Sequence, residues 1–312
     1  MSWQFEKVAG PFGFTEGPVW DGVALLFSDI PSSRTLRYDP STRECVVFRE
    51  ATNKANGLML DAEGQLFACE GGGLSDPLLK DRAAAQGLAA GRCIARYDGD
   101  GARTVIADRF EGRRLNSPND LAIDRLGRLW FTDPRYGDFR DDLELDHESV
   151  FRAEPQPDGS HKVVRVTFDT TRPNGLLLSP DLQWLYVANS QYGDGCPREL
   201  RAYPIRDDGS VGPFEVLHNF YPHRGIDGMT LDDEGHLIAT AGWELSGPGP
   251  MLYVFTPKGR VLETHPVPMN RPTNVTFGDH DLRTLYLTGN DGCLWAARTE
   301  REGFPPGRPW WD

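Results

Sequence analysis

Six segments of the chain open on an oxygen-bearing side chain and then turn apolar: Glu16-Gly-Pro-Val-Trp, Asn56-Gly-Leu-Met-Leu, Asn119-Asp-Leu-Ala-Ile, Asn174-Gly-Leu-Leu-Leu, Asp227-Gly-Met-Thr-Leu and Asn274-Val-Thr-Phe. Brought together, these two carboxylates and four amides would suit a hard cation such as Ca²⁺, which takes about six to eight oxygen ligands and whose charge two carboxylates neutralise. Zinc or copper would want His or Cys, and none heads a segment. A single Asn-Gly is an ordinary local turn. Six anchors in register ask for a common purpose.

The scaffold must repeat with them. Tight turns follow the apolar runs, written Asp61-Ala-Glu-Gly, Asp124-Arg-Leu-Gly, Asp232-Asp-Glu-Gly and Ser179-Pro-Asp, with Asp, Pro and Gly where a reversal needs them. Second strands rich in aromatic and β-branched residues come next, as in Leu129-Trp-Phe-Thr and Leu185-Tyr-Val-Ala. Third and fourth strands complete each unit, and four strands in about 40 to 50 residues make a propeller blade. The sixth unit stops one strand short after residues 293–297, and Trp3, Phe5 and Val8 can supply the missing strand, which closes the ring and protects an edge. The expectation is an all-β, six-bladed β-propeller with four-stranded blades, one domain spanning residues 1–312.

Composition agrees and excludes alternatives. With 34 Gly and 24 Pro the chain is too broken for a helical bundle. It carries 33 basic and 46 acidic residues, a formal charge of −13, with the basic residues scattered singly, so neither nucleic acid nor an anionic membrane is an expected partner. The sequence has no apolar run of signal-peptide or membrane-spanning length, and a cytoplasmic location is expected. The five cysteines are widely spaced with no Cys-x-x-Cys and read as buried, reduced thiols. No serine sits in a Gly-x-Ser-x-Gly elbow, which disfavours a serine hydrolase. His218 and His223 read as loop histidines and not as metal ligands.

In a blade the start of the inner strand and the end of the second share one face of the disc. Connections leaving the second strands are long in four units, at residues 70–92, 133–149, 189–199 and 242–250, so loops should crowd the anchor face. The first carries Ser75-Asp-Pro ahead of Leu78 and ends near Gly87, a capped-helix pattern and a candidate lid.

Longer motifs carry a resemblance. Glu16-Gly-Pro-Val-Trp with Leu26-Phe-Ser-Asp-Ile-Pro, Arg114-Leu-Asn-Ser-Pro-Asn-Asp-Leu with Trp130-Phe-Thr-Asp-Pro-Arg-Tyr-Gly, Arg172-Pro-Asn-Gly-Leu and Asp227-Gly-Met resemble the SMP-30/gluconolactonase/luciferin-regenerating-enzyme family over essentially the whole chain. The resemblance implies one divalent metal ion held by Glu16, Asn119, Asn174 and Asp227, with Ca²⁺ the first choice and Mg²⁺, Mn²⁺ or Zn²⁺ as alternatives. It also implies a small-molecule lactone substrate, a sugar lactone opened by water, with relatives that hydrolyse organophosphates at the same kind of site. A non-catalytic calcium- or ligand-binding propeller is the reading from another class, since a fold alone proves no chemistry. The segments 70–92 and 243–250 depart from the family's pattern.

Asp227 is expected to double as the base that activates water. Asn56 and Asn274, anchors without a metal role by resemblance, join Asn116, Arg135, Tyr136 and His147 as a polar set suited to bonding several hydroxyls. The sequence suggests no cluster of Lys or Arg on this face, so the expected substrate is neutral and hydroxylated.

Overall fold

The short turns form because their first side chain satisfies them. Asp61, Asp124 and Asp232 each accept backbone N–H groups from the residues two and four positions on, folding each inner strand back onto the second. The computed structural model describes residues 2–71, 91–99, 101–136 and 140–304; the proposed helical lid, residues 75–87, lies outside the described residues.

Six four-stranded antiparallel sheets result. Their inner strands are β2 (Thr15–Trp20), β6 (Ala55–Leu60), β12 (Leu121–Ile123), β16 (Pro173–Leu178), β20 (Ile226–Leu231) and β24 (Pro272–Gly278), and neighbours in this order touch around the ring, β24 returning to β2. The second strands are β3 (Leu25–Asp29), β7 (Leu66–Glu70), β13 (Leu129–Asp133), β17 (Trp184–Ser190), β21 (Leu237–Trp243) and β25 (Thr284–Gly289). Apolar clusters fill the space between blades; Trp130, Val150, Leu176, Leu185, Val187 and Tyr203 join the third to the fourth. Among the described residues no helix is long and apolar enough to cross a membrane.

Closure is as the sequence suggests. β1 (Glu6–Ala9) completes the last blade by pairing with β26 (Leu294–Arg298), Glu6 opposite Ala296. Trp3 lies just outside that strand and stacks on His265 of the fifth blade at 3.7 Å between ring centroids. One expected loop is not a loop. β22 (Ser246–Phe255) extends the hairpin from β21, with Trp243 opposite Ser246, so residues 242–250 are ladder around a tight turn, and the long connections within the described residues are those after β13 and β17.

Two features aim the anchors. In five blades the ladder between inner and second strand skips at the anchor: Glu16 opposes Ser28, yet the next matched pair is Val19 with Leu26, and the same slip separates Ala55 from Leu58, Pro173 from Leu176, Ile226 from Met229 and Pro272 from Val275. A bulge frees the anchor from strict in–out alternation and re-aims its side chain. Glycine after the anchor then lets the next blade pass. A Cβ on Gly57 would lie 2.7 Å from the Asn119 carbonyl, and one on Gly228 would lie 2.1 Å from the Asn274 amide. The Asn-Gly pairs are thus axial packing and not isolated turns.

Hydroxyls strap each blade to its neighbour. Ser28 donates to the Asn56 carbonyl at 2.7 Å, Thr240 to Thr273 at 2.7 Å and Thr273 to Thr15 at 2.8 Å, while Ser190 donates to Ile226. Beyond the anchors, toward the opposite face, the axis widens into a mainly apolar chamber of about 390 Å³, lined by residues such as Leu58, Leu121, Leu178 and Val275, with Asp120 and Asn274 in its wall.

Candidate active site

Bulged strands from separate blades bring Glu16, Asn174 and Asp227 to the axis, and Asn119 reaches the same face just ahead of β12; all four are buried. Asp227 sits at the centre of the hydrogen bonding. Its Oδ1 accepts from Asn174 Nδ2 at 2.5 Å and its Oδ2 pairs with Arg224. The same Asn174 nitrogen donates to the Tyr136 hydroxyl at 2.8 Å. Glu16 accepts the Gly17 N–H at 2.7 Å, and the nearby Asn274 amide favours the ionised forms of both Glu16 and Asp120.

Three carboxylates so close and so dry resist ionisation. Burial first, and then the charge of Asp227, raises Glu16 well above the usual carboxylate range. Burial pushes Asp120 up to about 7 despite the Leu121 N–H it accepts, with Asp227 adding to the rise. Asp227 is raised by burial as well, while Arg224 and then Arg271 hold it down. Burial likewise raises Tyr136. A divalent cation fits this donor set: the axial donors are carboxylates and amides, and the mutual repulsion of the carboxylates is what a cation relieves. Asn174 turns its nitrogen to Asp227, so presenting an oxygen to an ion requires its amide to rotate.

The remaining candidates divide. Asn274 and Tyr136 reach the axial group. Asn56 heads its bulge half-buried, its carbonyl held by Ser28. Asn116 donates to the carbonyls of Asp133 and His147, both at 3.1 Å, and His147 Nδ1 lies 2.9 Å from the Ser149 hydroxyl. Arg135 corrects the sequence reading: it is 1% exposed, donates to the Asn116 carbonyl at 2.7 Å and pairs with Asp142. It braces the loop after β13 and leaves no surface for a ligand.

Other residues escaped the sequence reading. Asp120 was hidden by its neighbour Asn119, which fills the anchor position. Lys54, Arg172, Arg224 and Arg271 each precede an anchor by two or three residues, a periodic signal once the anchors are aligned. Of these, Arg224 and Arg271 both act on Asp227, cations at the axis that the sequence reading did not count. Arg224 neutralises Asp227, Lys54 donates to the Pro31 carbonyl, and Arg271 keeps a buried Nε without a partner. A separate trio, Asp232, Glu234 and His236, lies in a turn on the opposite face; there Arg301 pairs with Asp232 at 2.6 Å, which makes the trio an ion-paired turn remote from the anchors.

Residues 14–291, a span holding all six anchors, match the model of the SMP-30/Gluconolactonase/LRE-like region. The chain belongs to this family. Among its relatives is a gluconolactonase of Zymomonas mobilis, 29% identical over 97% of this chain and 83% of that protein. Pentonolactonase XacC of Haloferax volcanii is 30% identical over 89% of this chain and 82% of its own. A solved gluconolactonase structure from Xanthomonas campestris superposes with a TM-score of 0.75 at 33% identity, covering 95% of this chain and 89% of the other. The SMP-30/gluconolactonase fold is thus shared along essentially the full propeller.

Proposed function

We propose that this family member hydrolyses a sugar lactone at the axial carboxylate–amide site, with a divalent cation held by Glu16, Asn119, Asn174 and Asp227. The observation that carries the reading is the convergence of these buried groups from four blades, in a chain whose relatives include a gluconolactonase and a pentonolactonase. A bound cation, Ca²⁺ in the first instance and Mg²⁺, Mn²⁺ or Zn²⁺ otherwise, would supply Lewis-acid polarisation of the lactone carbonyl.

The chain's own residues do the rest. Arg224 favours the ionised form of Asp227 despite burial, which leaves a carboxylate able to take a proton from water as its oxygen attacks the carbonyl carbon. The carbonyl-to-ring-oxygen bond then breaks, and the ring oxygen takes up the proton held by Asp227, giving the open hydroxy acid. Tyr136 already accepts from Asn174, so its own O–H is free to donate into the site. Asn274 holds Glu16 and Asp120 in place. Asn56, Asn116 and His147 serve the substrate's hydroxyls.

The test is proton release from a panel of aldonolactones and plain alkyl lactones, corrected for spontaneous opening, before and after chelation and with each cation restored. Turnover of hydroxylated lactones that is lost on chelation and regained with a cation is expected. Lack of turnover on every lactone, or undiminished activity in the fully demetallated protein, would overturn the reading. A fluorophosphate in the same panel reports on the organophosphatase alternative.

A further inference from the structure

Beside the axis, the connections after β13 and β17 enclose a cleft of about 440 Å³ between the third and fourth blades, lined in part by Asn116, Arg140, His147, Glu148, Arg172 and Gln191. Its charges are unevenly matched. Both oxygens of Glu148 are committed, one to Arg140 and the other to the backbone N–H of Arg172 at 2.9 Å. The guanidinium of Arg172, by contrast, meets no carboxylate and no hydrogen-bond acceptor among the described residues. It lies 5.9 Å from the ring centroid of Tyr136 and 5.6 Å from that of Tyr192. In a chain of charge −13, an arginine without a counter-ion among the described residues is an open position for an anion.

Backbone geometry fixes that position. Arg172 has φ 49°, a left-handed conformation uncommon for a residue bearing a Cβ. It is held there by its N–H on Glu148 and by its carbonyl, which accepts from Ser190 at 3.2 Å. Two acceptors of the cleft, Asn116 Oδ1 and Gln191 Oε1, are buried without a donor among the described residues, the complement of hydroxyl groups on a ligand. Tyr136 stands between the cleft and the axial site: its ring faces Arg172, and its hydroxyl accepts from Asn174.

We propose that this cleft binds a monoanionic end group, a carboxylate or sulfonate, on the lactone whose ring lies at the axial carboxylates, with Arg172 as the recognising cation. The proposal rests on the lactone reading above and replaces the neutral substrate that the sequence suggested. A single unmatched guanidinium suits one negative charge; a phosphate dianion would bring a second charge for which the cleft has no partner.

The experiment compares hexonolactones alike in ring and hydroxyls that end in hydroxymethyl, carboxylate, sulfonate or phosphate. Each is assayed for kcat/KM with the wild type and with Arg172→Asn, whose side chain tolerates positive φ. The wild type should favour the carboxylate or sulfonate over the neutral lactone by about 10- to 100-fold, the span expected of a hydrogen-bonded charge pair, and Arg172→Asn should bring that ratio close to one. A wild type that prefers the neutral lactone, a preference for phosphate over both monoanions, or an unchanged ratio in the variant overturns the assignment. Calorimetric titration of the open-chain acids gluconate and glucarate, which differ by one terminal carboxylate, tests the cleft without turnover. Tighter binding of glucarate that disappears in Arg172→Asn supports the proposal even where no lactone is hydrolysed, a result that would sink only the catalytic reading. Equal binding of the two acids by the wild type sinks the cleft.

Discussion

Replacing Gly228 with alanine would test whether the axial site owes its geometry to glycine packing. The added Cβ would fall 2.1 Å from the Asn274 amide, whereas ordinary contact begins at 3.4 Å, so the amide must retreat by about 1.3 Å or the inner strands must part. Neither is easy. Asn274 is buried, its Oδ1 holds the Val275 N–H at 2.9 Å, and its amide favours the ionised forms of Glu16 and Asp120. Overpacking of this kind costs about 1–3 kcal/mol, and a melting temperature lower by a few degrees is expected for a chain of this size, at roughly 2 °C per kcal/mol. The larger effect should be on turnover, because a displacement of about 1 Å in a positioning group can cost about 100-fold. Gly235→Ala is the control. Gly235 lies at φ 78° in a turn of the fifth blade with no atom nearer than 3.8 Å to its added Cβ, so it should lose about 1 kcal/mol of stability and leave kcat/KM intact. A folded Gly228→Ala protein with kcat/KM within twofold of wild type would refute the packing argument.

Other outcomes follow from the same geometry. Asp227→Asn should keep the fold by circular dichroism while lowering kcat at least about 100-fold, since it removes both the base and a buried charge; near-normal turnover would remove Asp227 from the mechanism. Asp120→Asn should weaken cation affinity about 10- to 100-fold in a titration of chelator-treated protein, the effect expected when a group behind the ligands is lost. Unchanged affinity would restrict Asp120 to the chamber wall. Trp3→Ala should cost about 3–5 kcal/mol, because a buried ring stacked on His265 is lost. Deleting residues 1–9 should go further and expose the edge of β26, read as a lower melting temperature with aggregation; a deletion variant as stable as wild type would contradict the closure.

The propeller was legible because its signals are local and repeated: an Asp-headed turn can be read from four residues, and six copies reinforce one another. The anchors were legible for the same reason. What could not be read is what depends on which atoms end up unpaired. Arg135 and Arg172 are equivalent in a sequence, each next to a proline in a loop-bearing segment. The fold buries the first against Asp142 and leaves the second facing two tyrosines, with no counter-ion among the described residues. Residues 242–250 misled for a different reason. Two prolines and three glycines from Gly242 onward suggest a loop, yet the ladder resumes at Ser246 because an outward-facing edge of the hairpin tolerates them. Asp120 is hidden in the sequence because the repeat supplies one anchor per blade, and its neighbour Asn119 already fills that position.

The straps between blades run from side-chain hydroxyl to backbone carbonyl, and that asymmetry has an evolutionary meaning. The receiving blade contributes only a peptide oxygen, which every residue possesses, so the identity of the anchor behind it is not constrained by the strap. Ser28 would hold position 56 as firmly were it Asp or Glu in place of Asn. A ring joined in this way can exchange axial side chains, and with them metal preference or reaction, without renegotiating how its blades align. The architecture separates heritable alignment from mutable chemistry, and recombination between related propellers should succeed wherever the donating blade retains its serine or threonine.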